Sequence, residues 1–309
     1  MGGGTRTALL AMATATAVAI AGCGLGRGPG TSQVTLTVTR GFGTMRVASI
    51  QQRRVPGSET VMRMLQRSFR VSTRYGGGFV ESINGLSGSS SKLDWFYYLN
   101  GIEAPVGAAA TTVHRGDRIW WDLHDWSASM ATPAVVGSFP EPFLHGVGGK
   151  RLPTTLECAP DVSSACKRVG TELAAVGIPV ASQLIGTGSG ADTLGVVVGT
   201  WSDLRSELVA RLVERGPAAS GIYARFERGG KALALLDPRA HGVKTLGSGA
   251  GLIAATAQAS SKPTWLITGT DPSGVTAAAS ALTPARLRDH FAVAVQGGAD
   301  LPIPLRGGV

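Results

Sequence analysis

The sequence predicts an α+β domain, one helix packed on one face of a mixed sheet, followed by a three-layer α/β domain. Three observations predict it. The strictly alternating run Val34-Thr35-Leu36-Thr37-Val38-Thr39 opens the first part, a pair of aromatic extended segments closes it, and one amphipathic helical segment lies between. Beyond Leu152 the rhythm changes to apolar strands alternating with helices. Between the two parts, residues 130–153 hold Pro133, Pro140, Pro142 and Pro153 with Gly137, Gly146, Gly148 and Gly149, a density that excludes a regular element. The chain has 309 residues, room for two such domains, and its 44 glycines favour turns over long helices.

Ahead of the first strand stands an export leader. Arg6 supplies the positive charge, and Thr7 to Ala19 is small and apolar but too short to span a bilayer. Ile20-Ala21-Gly22-Cys23 then resembles the bacterial lipobox, whose cysteine takes a diacylglycerol. Residues 1–22 are therefore expected to be a lipoprotein signal peptide, with Cys23 the lipid-attachment site and residues 23–33 a glycine-rich tether. The expected location is the extracytoplasmic face of the cell membrane. Two acyl chains make that anchor firm, because each buried methylene contributes about 0.8 kcal/mol. Cys158 and Cys166 remain, and an even pair outside the cytoplasm reads as a structural disulfide.

Charge is uneven. Eight arginines lie between Arg40 and Arg74 against one acid, Glu59, whereas residues 151–309 carry fifteen basic and twelve acidic side chains. Such a stripe suits a solvated surface, anionic headgroups or an anionic ligand. Nucleic acid is disfavoured by the export leader.

The first domain is expected over residues 34–127. The segment Met45 to Arg54 returns as a second strand, and Ser58 caps a helix from Glu59 to Phe69, with Val61, Leu65 and Phe69 in one stripe and Arg63, Arg67 and Arg70 outside. Short strands follow around Phe79-Val80, then Trp95 to Leu99, the Asn100-Gly101 turn, and a strand from Arg118 to Leu123 after Gly116-Asp117. This order is β-grasp-like. Trp95, Tyr97 and Leu99 point one way and Phe96 and Tyr98 the other, as do Trp120 and Trp121, so one ring set lacks a helix of its own to cover it. Uncovered rings make a ligand platform or an interface. The alternative is that they pack against the second domain.

VTLTVTR, YGGGFVESINGL, DWFYYLNG and VHRGDRIWWDLHDW, in this order, resemble the transcobalamin-like C-terminal domain found in bacterial lipoproteins and animal cobalamin carriers. The resemblance spans roughly residues 34–127. It implies a β-grasp-type domain and cobalamin or a related corrinoid as a ligand, with an importer of the energy-coupling-factor type as partner. The residues it points to are Trp95, Tyr97, Tyr98, Asn100, Trp120 and Trp121, the rings to lie on a flat macrocycle, with the arginine stripe for its phosphate. The large helical barrel that completes the site in the animal carriers is absent from this sequence. His114, His124 and His145 are expected to pack or face solvent rather than bind a metal.

After the linker, residues 128–151, the α/β domain is expected over 152–309. Thr154 to Glu157 is a strand, Val162 to Val176 a helix, Gln183 to Ile185 extended, and Thr193 to Thr200 a strand covered on both faces. Ser202 caps a helix from Asp203 to Arg215 with a Leu204, Leu208, Leu212 stripe. Ile222 to Phe226 and Ala232 to Leu236 form a hairpin around Gly229-Gly230, and Gly251 to Gln258 reads as a short helix. Thr264 to Asp271 and the helix from Ser273 to Leu282, with Ser273 as its expected cap, repeat the earlier strand, Gly-Thr and helix unit, at whose strand ends open α/β sheets form crevices.

No enzyme signature is present. GTGSGAD and GSGAG lack the lysine of a phosphate loop, no G-x-S-x-G elbow occurs, and the five histidines have no metal-ligand spacing. Asp203 and Asp271 lie at strand ends without a visible partner. The expectation is non-catalytic ligand capture with no required cofactor, no metal and no nucleic-acid partner, or alternatively a cell-envelope protein-interaction module.

Overall fold

The computed structural model of the chain describes residues 1–2, 33–89, 92–258 and 261–306. The signal peptide beyond Gly2, Cys23 and the tether as far as Ser32 lie outside the described residues. No helix among the described residues is long and apolar enough to cross a membrane. The fold is mixed α/β with several sheets.

Alternation makes β1 (Val34–Arg40) a half-buried strand, with Val34, Leu36 and Val38 turned inward. Gly41 to Thr44 turn the chain into β2 (Met45–Gln52), an antiparallel edge. The helix α1 (Val61–Ser68) starts at Thr60, whose hydroxyl accepts from Arg63 N. Ser58 is not the cap, because Glu59 N closes a turn on Pro56 O at 3.1 Å. The strands β3 (Val71–Arg74), β4 (Phe79–Ile83) and β5 (Leu86–Ser87) form a small antiparallel sheet beside α1. Then come β6 (Leu93–Leu99), β7 (Ile102–Glu103) and β8 (Arg118–Asp125). The main sheet runs β2-β1-β8-β6-β7, with only β1 and β8 parallel. One face packs on α1 through Leu36, Met64, Leu65, Trp95, Ile119 and Trp121.

The connector contains no helix or named strand between β8 and residue 154. It is nonetheless packed. Phe139 and Phe143 are buried against Trp265, with ring centroids 5.6 and 5.2 Å away.

The C-terminal half runs β9 (Thr154–Cys158), α2 (Ser163–Ala175), β10 (Val180–Leu184), β11 (Leu194–Thr200), α3 (Trp201–Leu204), α4 (Leu208–Glu214) and α5 (Pro217–Ser220). There follow β12 (Ala224–Glu227), β13 (Ala232–Leu236), β14 (Gly242–Leu246), β15 (Gly251–Thr256), β16 (Thr264–Gly269), α6 (Pro272–Ala281), α7 (Pro284–Leu287), β17 (Ala292–Gln296) and β18 (Ala299–Ile303). Seven strands form one sheet in the order β10-β9-β11-β16-β15-β17-β18, parallel from β10 to β16 and antiparallel beyond. The helices α2 and α6 bury one face, while α3, α4 and the antiparallel sheet β12-β13-β14 bury the other. Cys158, ending β9, is disulfide-bonded to Cys166 in α2, with Cα atoms 6.0 Å apart.

Three local expectations are corrected. Gly251 to Gln258 is not a helix: its first six residues are β15, antiparallel to β16 and buried throughout. A Cβ at Gly251 would stand 2.3 Å from Gly274 O, so glycine here lets α6 approach the strand. The helix expected over 203–215 is broken into α3 and α4, with Glu207 extended between them. The break exposes Leu208 and buries Val209 in its place. The caps also differ. Thr200 and Asp203 form a capping box on α3, and Asp271 caps α6, leaving Ser202 and Ser273 as neighbours of the caps.

Candidate functional site

The register of β6 on β8 sets Tyr97 opposite Trp121 and Tyr98 opposite Trp120, so consecutive rings take opposite faces. On the α1 face, Trp95 Nε1 donates to Leu86 O at 3.3 Å, and Tyr97 stacks on Trp121 at 4.8 Å. On the other face, Tyr98 and Trp120 meet the edge of Phe291 at 5.4 and 5.2 Å, and His124 is layered between Phe96 and Phe42. Tyr223 closes the cluster against Phe42. Trp95, Tyr97, Tyr98, Asn100, Trp120 and Trp121 are therefore all buried, none more than 9% exposed. The expected open platform of rings is not what the structure shows: the C-terminal half provides the cover that the first sheet lacks.

The open space lies beside the turn that these strands make. Asn100 and Gly101 both take positive φ, 54° and 76°, as the two-residue hairpin turn requires. The Asn100 side chain is pinned on both ends. Its amide nitrogen donates to Asp117 Oδ1 at 2.9 Å and to Gly146 O at 3.0 Å, and its oxygen accepts from Arg118 N at 2.8 Å. One side chain thus fixes the β6–β7 turn, the Gly116-Asp117 turn and the connector. Burial raises Asp117 above the usual range for its type, opposed by donors from His114 N and Asn100.

The β6–β7 turn with the loop after it, the stretch from Thr111 to His114 and the connector line a groove of about 380 Å³, with Leu99, Ile102, Pro105, Val106 and Val147 as its apolar walls. A second hollow of about 430 Å³ adjoins it, shares Ile102 through Pro105, and extends to Pro133, Ala257 and Lys262. Tyr97 supports the wall from behind, its hydroxyl donating to Val106 O at 2.5 Å and lying 2.8 Å from Thr111 Oγ1. Glu103 belongs to both hollows. Its Oε2 accepts from Thr132 N at 2.6 Å, and burial raises its pKa from 4.5. The groove therefore offers apolar walls with one carboxyl, raised above its ordinary value by burial, that accepts a hydrogen bond.

The remaining candidates do not converge on this groove, His114 apart. His124 Nδ1 lies 2.9 Å from Asp122 Oδ1 inside the ring cluster, and His145 pairs with Glu141. No cluster of three or more histidine, cysteine or acidic side chains suited to a metal occurs among the described residues. At the strand ends, the capping bonds already occupy Asp203 N and Gly274 N. Asp271 feels burial, which raises its pKa, but Ser273, Ser248, Gly274 N and Gly249 N donate to it and leave it well below the usual carboxylate range. Cys23 lies outside the described residues.

The groove was not visible in the sequence because its walls come from segments that no local periodicity connects. The one signal was an apolar loop, Ala104-Pro105-Val106, two residues beyond the Asn-Gly turn.

Residues 58–125 match a family described as a domain of unknown function, DUF4430. The matched stretch runs from the α1 approach to the end of β8. No curated protein matches the chain. A 1.30 Å crystal structure from Ruminococcus gnavus, of a protein provisionally designated as metal binding, is similar at 17% identity with a TM-score of 0.26. The similarity covers 30% of this chain and 96% of that one.

Proposed function

We propose that the chain is a non-enzymatic, lipid-anchored protein of the extracytoplasmic membrane face that captures a small molecule in the groove beside the β6–β7 turn. The ligand class is a flat, partly apolar molecule bearing amide donors, with cobalamin or a related corrinoid as candidate and a membrane importer as recipient. The observation that carries this reading is Glu103, a carboxyl set between apolar walls in hollows of the size small-molecule sites have. Amide side chains of a corrinoid suit that acceptor. The lipobox-like Ile20 to Cys23 supports the anchor, and the disulfide Cys158–Cys166 accords with an oxidising compartment. The family match falls inside the stretch that bears the transcobalamin-like resemblance, which supports a β-grasp-like reading of the first half. In this reading Tyr97 shapes the groove from beneath, and none of the buried rings touches the ligand.

The test is co-elution of cyanocobalamin with the full-length protein in detergent during gel filtration. Co-elution that is lost in Ile102→Arg, a change at the groove wall, is the expected result. Absence of coloured ligand in the protein peak at high micromolar concentration overturns the reading.

A second reading, a cell-envelope protein-interaction module, has one observation in its favour. Tyr75 in the turn after β3 and Phe79 at the start of β4 are 87% and 40% exposed, their rings 6.5 Å apart. A pull-down from envelope extract that Tyr75→Ser abolishes, with no cobalamin binding, selects it.

A further inference from the structure

The face of the first sheet that carries Tyr98 and Trp120 is only partly covered. Across β1 and β2 the same face presents Thr35 opposite Gln51 and Thr37 opposite Ser49, with Thr37 beside Trp120 on β8. Where β6 and β8 offer rings to Phe291, these two strands offer hydroxyls and an amide. Here the C-terminal half stands off, and a cleft of about 250 Å³ opens between the sheet, Gly137-Ser138 of the connector, and Arg288-Asp289 after α7.

Charge in this cleft is unbalanced. Three guanidiniums, from Arg46, Arg118 and Arg288, line it against one carboxylate, Asp289. That carboxylate is already taken, since Arg46 Nε donates to it at 2.9 Å and completes an ion pair. Arg118 is half-buried and held in place, with Nη1 donating to Phe139 O at 2.8 Å and Ser138 O at 3.3 Å. Burial holds Arg118 below the ordinary guanidinium value, with Glu141 nearby raising it and Arg288 adding a smaller repulsion. The Arg288 side chain has no hydrogen bond or ion pair with any described residue. Glu141 acts on Arg118 from outside the cleft, so within it one guanidinium immobilised by carbonyls and one unpaired guanidinium repel each other and favour an anion between them. Guanidiniums fork onto tetrahedral oxyanions, and neutral hydroxyl and amide donors complete such a cradle.

We propose that this cleft is an oxyanion-binding site that takes a phosphate group, free or esterified, between Arg118 and Arg288, with Thr35, Thr37, Ser49 and Gln51 as neutral donors beneath. It is separate from the apolar groove and does not depend on what that groove holds. Because its walls come from both halves of the chain, a bound phosphate ties them together and raises the melting temperature.

The test is isothermal titration of the full-length protein in non-ionic detergent with four probes: inorganic phosphate, glycerol 3-phosphate, glycerophosphoglycerol as a deacylated lipid headgroup, and succinate. Saturable binding of a phosphate probe is expected, weakened about tenfold or more by Arg288→Ser, in keeping with loss of one charge-assisted contact. Gln51→Glu places a negative charge on the floor and is expected to weaken binding as much. Arg239→Ser, an exposed arginine elsewhere, is the control and leaves it unchanged. Arg288 and Gln51 are exposed, so both variants are expected to fold, which unchanged circular dichroism melts verify. Preference for the diester identifies a lipid headgroup as the source, and preference for phosphate or the monoester a soluble metabolite. Succinate binding as well as phosphate overturns the phosphate assignment. No saturable binding at millimolar concentration, or binding indifferent to both variants, overturns the site.

Discussion

Asn100 donates to Asp117 at 2.9 Å with both side chains fully buried, so the hairpin turn and the turn leading into β8 are held by one hydrogen bond between adjacent ends of the sheet. Replacing Asn100 with Ala removes three hydrogen bonds and puts a methyl-bearing residue without a polar side chain at φ 54°. Leaving buried partners unsatisfied costs about 1–3 kcal/mol each when they cannot reach water. Asn100→Ala is expected to lose about 3 kcal/mol overall. Denaturant unfolding measures it. Asn100→Gly, which relieves the backbone but not the lost bonds, is expected to be destabilised somewhat less.

Glu103 makes stability depend on pH in a definite direction. Its folded pKa is raised above 4.5 by burial, so the folded state holds this proton more tightly than the unfolded chain. Stability from this group is complete below 4.5 and falls as pH rises through the raised value. Glu103→Gln keeps an oxygen for Thr132 N but carries no charge. The variant is expected to melt higher than the parent at pH 7 and at nearly the same temperature at pH 4, as read by thermal scans at both values. Equal differences at the two pH values contradict the assignment.

Phe291 is the lid over Tyr98 and Trp120, and it also meets Phe42 and His124 edge-on. Phe291→Ala is expected to cost about 3–5 kcal/mol, the range for a large aromatic removed from a core. Tryptophan emission should shift to the red as Trp120 gains contact with water. A loss below 1 kcal/mol with unchanged emission contradicts the packing described.

The disulfide joins residues eight apart in sequence. Closing so short a loop restricts the unfolded chain by about 2.5 kcal/mol at room temperature. Reduction, or the double change Cys158→Ser with Cys166→Ser, is expected to lower stability by about that much. The β9–α2 corner should lose amide-exchange protection first.

How much of this was legible beforehand follows from what each segment's residues determine locally. The alternation in β1, the aromatic pairing of β6 with β8, the Asn100-Gly101 turn and the continuous apolar β11 each follow from chemistry within a few residues, and each stands where the sequence placed it. The error at β15 arose because Gly-Leu-Ile-Ala-Ala-Thr is apolar throughout, and a strand buried on both faces shows no periodicity to separate it from a helix. Both caps stand two residues earlier because Thr200 and Asp271 compete with the serines that follow them, and only the geometry of the strand ends decides. The aromatic strands were read correctly as having more rings than one core needs. What local sequence did not reveal was the cover, since Phe42, Tyr223 and Phe291 are far apart in the chain. The groove and the polar cleft share that origin: each exists only where three or more distant segments meet.

The interlocking of Tyr98 and Trp120 with Phe291 means that the first sheet cannot be excised cleanly. A fragment ending after β8 would turn those two rings to water as an apolar patch that invites self-association. Such a fragment is expected to stay dispersed only once both rings are replaced by polar side chains.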